Sequence, residues 1–274
     1  MAKTDNSTRY RVKPGSKVEL QQHDPGYDNG YTKGSPEVEE KLARDLDRIC
    51  EWQEKLYAES KQALLIVLQG MDASGKDGTI SHVMRGLNPQ GCAVASFKVP
   101  TPQELAHDFL WRIHQKTPAR GQIAVFNRSH YEDVLAVRVR KLVPQAVWKA
   151  RYDQINDFES MLTQNGTRIV KLFLHISREE QKKRLQKRLE DPKKHWKYSP
   201  VDDQDSRLWN RYVTAYEEAL SRCSMEAAPW YVIPADRKWY RNLAVAEIVE
   251  QTLAEMKPQW PQRPEAPAEG GEHV

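Results

Sequence analysis

Cysteine, phenylalanine and long apolar runs are all scarce in this chain of 274 residues: it has three cysteines and five phenylalanines, and its longest uninterrupted apolar stretch is Ala63 to Leu68. Six residues fall far short of the ~18 that a membrane helix needs, so no membrane partner is expected. Cys50, Cys92 and Cys223 form no CxxC and no His-paired cluster, and an odd number argues against a disulfide framework. Met1 to Tyr10 is polar and has no apolar segment of the signal-peptide kind, which points to the cytoplasm. Disorder is excluded as the main state by 39% hydrophobic residues, eight tryptophans and eleven tyrosines. The length suits one large α/β domain or two small ones, and no second core is required.

Residues 1–36 are rich in Gly, Pro, Asp and Asn and read as an extended arm. Ser35-Pro36 then opens a helix running to about Ser60, its apolar residues repeating at three and four. Ala63 to Leu68 has the pattern of a buried strand, followed by a Gly-rich turn and a helix over Thr79–Leu87. Further strands are expected at Cys92–Lys98, Gln122–Asn127, Arg168–Ile176 and Trp230–Ile233. Helices are expected at Pro102–Gln115, Pro144–Asn165 and Arg207–Ser221. This alternation predicts a parallel sheet flanked by helices on both faces over residues 37–256, with a flexible tail at 257–274.

Charge is unevenly spread. The net charge is only +4, yet nine basic and four acidic residues fall between Arg178 and Lys197, while the rest of the chain nearly balances. A solvated helical face is the bland explanation of such a run, and a seat for a polyanion the sharper one.

The strongest local signal is Gly70-Met71-Asp72-Ala73-Ser74-Gly75-Lys76-Asp77-Gly78, a G-x-x-x-x-G-K pattern between a predicted strand and a predicted helix. Glycines let backbone N–H groups turn toward phosphate oxygens, a helix N-terminus adds partial positive charge, and Lys76 adds a full one. The position after Lys76 carries Asp77 rather than the usual Ser or Thr. Carboxylates also bind hard cations, and Asp72 beside a phosphate site suggests an intervening Mg²⁺. Helix capping is the plainer role for either acid.

The strand ending at Asn127 leads into Arg128-Ser129-His130-Tyr131-Glu132-Asp133. Residues at the carboxyl end of a parallel strand face the ligand crevice, which makes Arg128 a candidate phosphate clamp and Glu132 and Asp133 candidate metal or water ligands. His130 is the histidine expected nearest the crevice. Lys98, Asp236 and Lys238 also follow predicted strands and are equally compatible with surface or packing roles.

Taken together, the Gly70–Gly78 loop, the Asn127–Asp133 segment, Asp191-Pro192-x-Lys194-x-Trp196-Lys197 with Asp202, and Trp230-Tyr231-x-x-Pro234-Ala235-Asp236-x-Lys238 resemble the polyphosphate kinase family 2. The resemblance implies a P-loop kinase fold with a basic helical lid at about 178–205, and Mg²⁺ as cofactor, with Mn²⁺ able to replace it. It implies phosphoryl transfer between inorganic polyphosphate and AMP, ADP and ATP, and a homotetramer or dimer. The Asn-Arg-Ser-x-Tyr-Glu-Asp version resembles the class that accepts both AMP and ADP. Many members have Asp where this chain has Asn127; Asp72 is the metal ligand expected here, with Asp77, Glu132 and Asp133 as further candidates, and Glu132 is also a candidate for holding the acceptor nucleotide's end. Under this reading Lys76, Arg128, Arg184 and Arg188 stabilise the transferring group, and Lys194 and Lys197 extend the donor track. Two rivals remain: an ATP-dependent nucleotide kinase of the thymidylate kinase type, and a polyanion- or RNA-binding protein. The second lacks interleaved aromatics near the basic run, so nucleic acid is not the expected partner.

Overall fold

The computed structural model describes residues 6–197 and 206–262. Five strands, β1 (Ala63–Gln69), β2 (Cys92–Ser96), β3 (Ile123–Asn127), β4 (Thr167–His175) and β5 (Trp230–Pro234), form one parallel sheet in the order β2-β3-β1-β4-β5. Every residue of β1 is buried, and Ile66 lies opposite Val125 of β3 and Val170 of β4. A continuous apolar run fits this central position, where both faces of the strand meet helices.

Helices among the described residues include α1 (Asn6–Arg9), α2 (Pro36–Glu59), α3 (Lys76–Val83), α4 (Pro102–Leu105), α5 (Trp111–His114), α6 (Ala136–Val139), α7 (Gln145–Gln164), α8 (Arg178–Glu190), α9 (Trp209–Arg222) and α10 (Lys238–Met256). α10 packs on α2 and α3, while α6 packs on α7 and α9. The chain leaves β1 toward β2 on one side and later crosses back from β3 over β1 to β4. That reversal opens a crevice between the carboxyl ends of β1 and β3, the place where open α/β sheets bind ligands. The whole is a P-loop kinase fold.

The strands and the helices α2, α7 and α9 fall within a few residues of their expected places, and four differences have physical causes. α3 begins at Lys76 rather than Thr79 because Gly75, at φ +105°, turns the chain straight into the helix. The single helix expected over Pro102–Gln115 is two short turns. Asp108 Oδ1 accepts the N–H groups of Leu110 and Trp111 and starts the second turn afresh. α10 has no counterpart in the sequence reading, since it is buried on nearly all sides and shows no polar stripe. The arm is extended but docked: Val12 N–H donates to Trp230 O and Val232 N–H to Tyr10 O, giving β5 a short antiparallel partner. Tyr10, Val12, Val18 and Leu20 are all in the core. Of the tail, residues 263–274 lie outside the described residues, as do Asp202 and the lid stretch 198–205.

Candidate active site

The Gly-rich loop leaves β1 and enters α3, with Ala73 at φ +61° and Gly75 at φ +105°. A Cβ at Gly75 would collide with the guanidinium of Arg241, and one at Gly70 would come within 2.8 Å of Leu174 O. Gly70 is therefore required by close approach to backbone as well as by torsion, and Gly75 by its torsion. Lys76 turns back over the loop, where its Nζ donates to Gly70 O (2.8 Å) and Met71 O (3.3 Å). Burial, reinforced by Arg128, lowers its pKa to about 8.

At the tip of β3, Asn127 Nδ2 donates to Asp77 Oδ1 at 2.9 Å, tying the second segment to the start of α3. Arg128 adopts φ +62° and reaches Asp72 with Nη2–Oδ1 of 2.8 Å. Its pKa is raised, chiefly by Glu132 and then by Asp72. Gln69, with its amide oriented to suit its neighbours, donates to Glu132 Oε1 and accepts from Ser129. Glu132 thus stands behind Arg128.

These groups open on a cleft of about 690 Å³ lined by ten cationic side chains and only two carboxylates, Asp72 and Asp77. Lys76, Lys98, Asn127, Arg128, Arg188 and Lys194 all line it, together with Ala73, Gly75 and Gly78 of the loop. Lys194 also pairs with Asp191 at 2.6 Å. Ser74 lies fully buried beneath the loop, and Gly70 serves through its carbonyl. The side chain of Lys197 lies outside the described residues.

Three of the expected residues have partners inside the fold. Arg184 faces inward: Nη1 donates to Ala73 O and Ser74 O (both 3.0 Å), Nη2 to Ala235 O (2.7 Å) and Asp236 O (2.8 Å), and Nε to Glu180 (2.8 Å). It lines the cleft with its donors taken up inside the fold, and so bolts the loop to the end of β5. Asp133 pairs with Arg151 at 2.9 Å, burial raises its pKa to about 6, and it does not line the cleft. His130 is fully buried against Glu159 and does not line the cleft. Asp236 likewise acts inside the fold, accepting Ser177 N–H at the start of α8, whereas Lys238 reaches the cleft.

Sequence reasoning missed Arg140, Gln181 and Arg241. Gln181 donates to Asp72 O, and Arg241 donates to Ser74 O from one turn beyond Lys238. Burial, and then Arg184, lowers the pKa of Arg241 to about 10. The i, i+3 spacing of Lys238 and Arg241 was the only available hint, and it gains meaning only once α10 is seen to start beside the loop.

Among the described residues no group of three or more acidic, His or Cys side chains forms a metal cage. Mg²⁺ seldom needs one, since one or two carboxylates and substrate phosphates complete its shell. Asp72 and Asp77, two hard oxygen donors in a cationic cleft, fit that requirement.

Residues 33–261 match the family model described as Polyphosphate kinase 2. The chain is 52% identical over 261 residues to an AMP/ADP-polyphosphate phosphotransferase of Meiothermus ruber, covering 95% of this chain and 97% of that protein. It is 43% identical over 266 residues to an ADP-polyphosphate phosphotransferase of Rhodopseudomonas palustris, covering 93% and 92%. A crystal structure of a polyphosphate kinase 2 from Arthrobacter aurescens superposes with a TM-score of 0.91 at 44% identity, covering 97% of this chain and 95% of that one.

Proposed function

The chain belongs to the polyphosphate kinase 2 family, and from that premise we propose that it transfers phosphoryl groups from inorganic polyphosphate to both AMP and ADP, reversibly and with Mg²⁺. The observation that carries this reading is the cleft around the Gly-rich loop, whose cations outnumber its carboxylates ten to two and continue onto the lid helix. Such a surface suits a flexible polyanion that offers charge and no sequence. The names of the Meiothermus and Rhodopseudomonas relatives support the same donor and acceptors.

The acceptor's terminal phosphate has a second pKa near ~6 and is already ionised at neutral pH, so the attack needs no general base. No histidine lines the cleft among the described residues. Lys76 and Arg128 are placed to neutralise charge on the transferring group, a contribution of about 2.7–4 kcal/mol for one preorganised donor. Arg188, Lys187 and Lys194 are placed to hold the donor chain on the lid side. Asp72 and Asp77 would hold Mg²⁺, which supplies further charge neutralisation and orients phosphate oxygens. Arg184 and Arg241 keep the loop in shape from below.

We assign the protein to the cytoplasm and to a homotetramer or dimer, supported by its family; no described helix is long and apolar enough to cross a membrane. The ATP-dependent kinase is the reading to beat. Purified protein incubated with AMP, Mg²⁺ and polyphosphate, with no ATP present, is expected to form ADP and then ATP on chromatography. A requirement for ATP as donor would favour the rival, and ADP without ATP would remove the second transfer.

A further inference from the structure

Beneath the tip of β3 lies a set of buried polar groups that the proposed chemistry does not use. Lys171, in the middle of β4, and Glu159, on α7, are both fully buried and form an ion pair. Lys171 Nζ also donates to Tyr131 OH (3.0 Å) and Cys223 O (2.5 Å). Glu159 Oε1 accepts from Tyr131 OH (2.9 Å) and lies 3.1 Å from His130 Nε2. Burial alone would push the Glu159 carboxyl up, but Lys171 and His130 hold it below the usual range.

Such a pair is a poor way to gain stability, because a well-packed apolar replacement is often as good or better. Its geometry serves another end. His130 and Tyr131 are adjacent residues in the turn that carries Arg128, and that turn is conformationally demanding. Arg128 sits at φ +62°, a region costly for a side chain with a Cβ, and stays there only if its surroundings insist. From above, Gln69 holds Ser129 and Glu132. From below, the hydroxyl of Tyr131 bridges both members of the ion pair, while Ser129 Oγ accepts Tyr131 N–H at 3.2 Å. Hydrogen bonds to charged partners in a dry interior are strong and directional, so the turn has little freedom to relax.

We propose that Glu159 and Lys171 are positioning residues for phosphoryl transfer, acting through Tyr131 and His130 to aim Arg128 into the cleft. The proposal rests on the phosphotransferase reading above. A displacement of about 1 Å at a group that touches the reacting phosphate is enough to cost ~10²-fold in rate.

The test is a double-mutant cycle between Tyr131→Phe and Arg128→Ala, reading kcat, both KM values and Tm with AMP, Mg²⁺ and polyphosphate. Tyr131→Phe removes one hydroxyl and leaves the ion pair intact. It is expected to lower kcat about tenfold at a temperature well below its Tm, and to add less than twofold in the Arg128→Ala background. Full kcat in folded Tyr131→Phe, or the same factor in both backgrounds, overturns the proposal. If Tyr131→Phe does not fold, the neutral pair Glu159→Gln with Lys171→Met takes its place under the same criteria. If neither folds, the network belongs to stability alone and the proposal falls. A wild type that transfers no phosphate from polyphosphate sinks the functional reading instead, and is distinguished before any variant is compared.

Discussion

Lys76 shows how burial and chemistry pull in opposite directions within one side chain. Its folded pKa of about 8 lies below the ordinary lysine value near ~10.4, so between these limits the unfolded chain binds the extra proton and stability rises with pH. Charge neutralisation at phosphate needs the protonated form, so kcat/KM is expected to fall as pH rises through about 8, and a pH–rate profile checks it. Lys76→Ala should cost ~10²–10³ in kcat, with circular dichroism unchanged; a variant retaining half its rate would remove Lys76 from the chemistry. Among the acids, Asp72→Asn is expected to raise the Mg²⁺ concentration needed for half-maximal rate. Asp133→Asn, whose carboxylate faces Arg151, should leave the Mg²⁺ titration where it was.

The basic helix α8 divides two of its three arginines, Arg184 and Arg188, between different duties. Arg184 and Arg188 are four apart and both line the cleft, yet Arg184 is 8% exposed and bound to four carbonyls, while Arg188 is only half-buried. Arg184→Ala leaves those carbonyls without their donor and is expected to lower Tm by several degrees as well as kcat. Arg188→Ala should raise the KM for polyphosphate with Tm unchanged, and added salt should mimic it in the wild type. Equal thermal behaviour of the two variants would contradict this division. The spacing alone could not separate them, because a run of Arg and Lys on a helix says nothing about which member meets a loop from elsewhere in the chain. The Gly-rich loop, its strand and the Arg128 segment were legible because each depends on residues close in sequence. Arg241, the inward turn of Arg184 and the capture of Asp133 were not, since each depends on a partner from a distant element. α10 escaped for a related reason: a helix covered all round carries no periodic stripe.

For the molecule as a whole, the N-terminal arm is a working part of the fold. Tyr10 OH meets Tyr240 OH at 2.5 Å, and Asn6 bridges Tyr240 and Glu247 of α10. Further on, Pro25 O accepts Asp236 N–H, and Asp236 in turn holds the start of α8. Truncation of residues 1–22 removes four core side chains, each worth about 1.5–3 kcal/mol when fully buried, and uncovers the surfaces they pack on; it is expected to leave the protein insoluble or with a sharply lower Tm. A truncated chain melting like the full one would show that the arm is dispensable. The same docking bears on how the chain is made. Tyr10 and Tyr240 are separated by 230 positions, and at ~5–20 residues per second roughly 10–50 s of translation lie between them. Throughout that interval the arm has emerged and its partner has not been synthesised. β5 and α10 must first reach the sheet, so a segment made long before its partners is among the last to find its place, and nascent chains stalled before Trp230 should still present Tyr10 and Val12 to a protease or a chaperone.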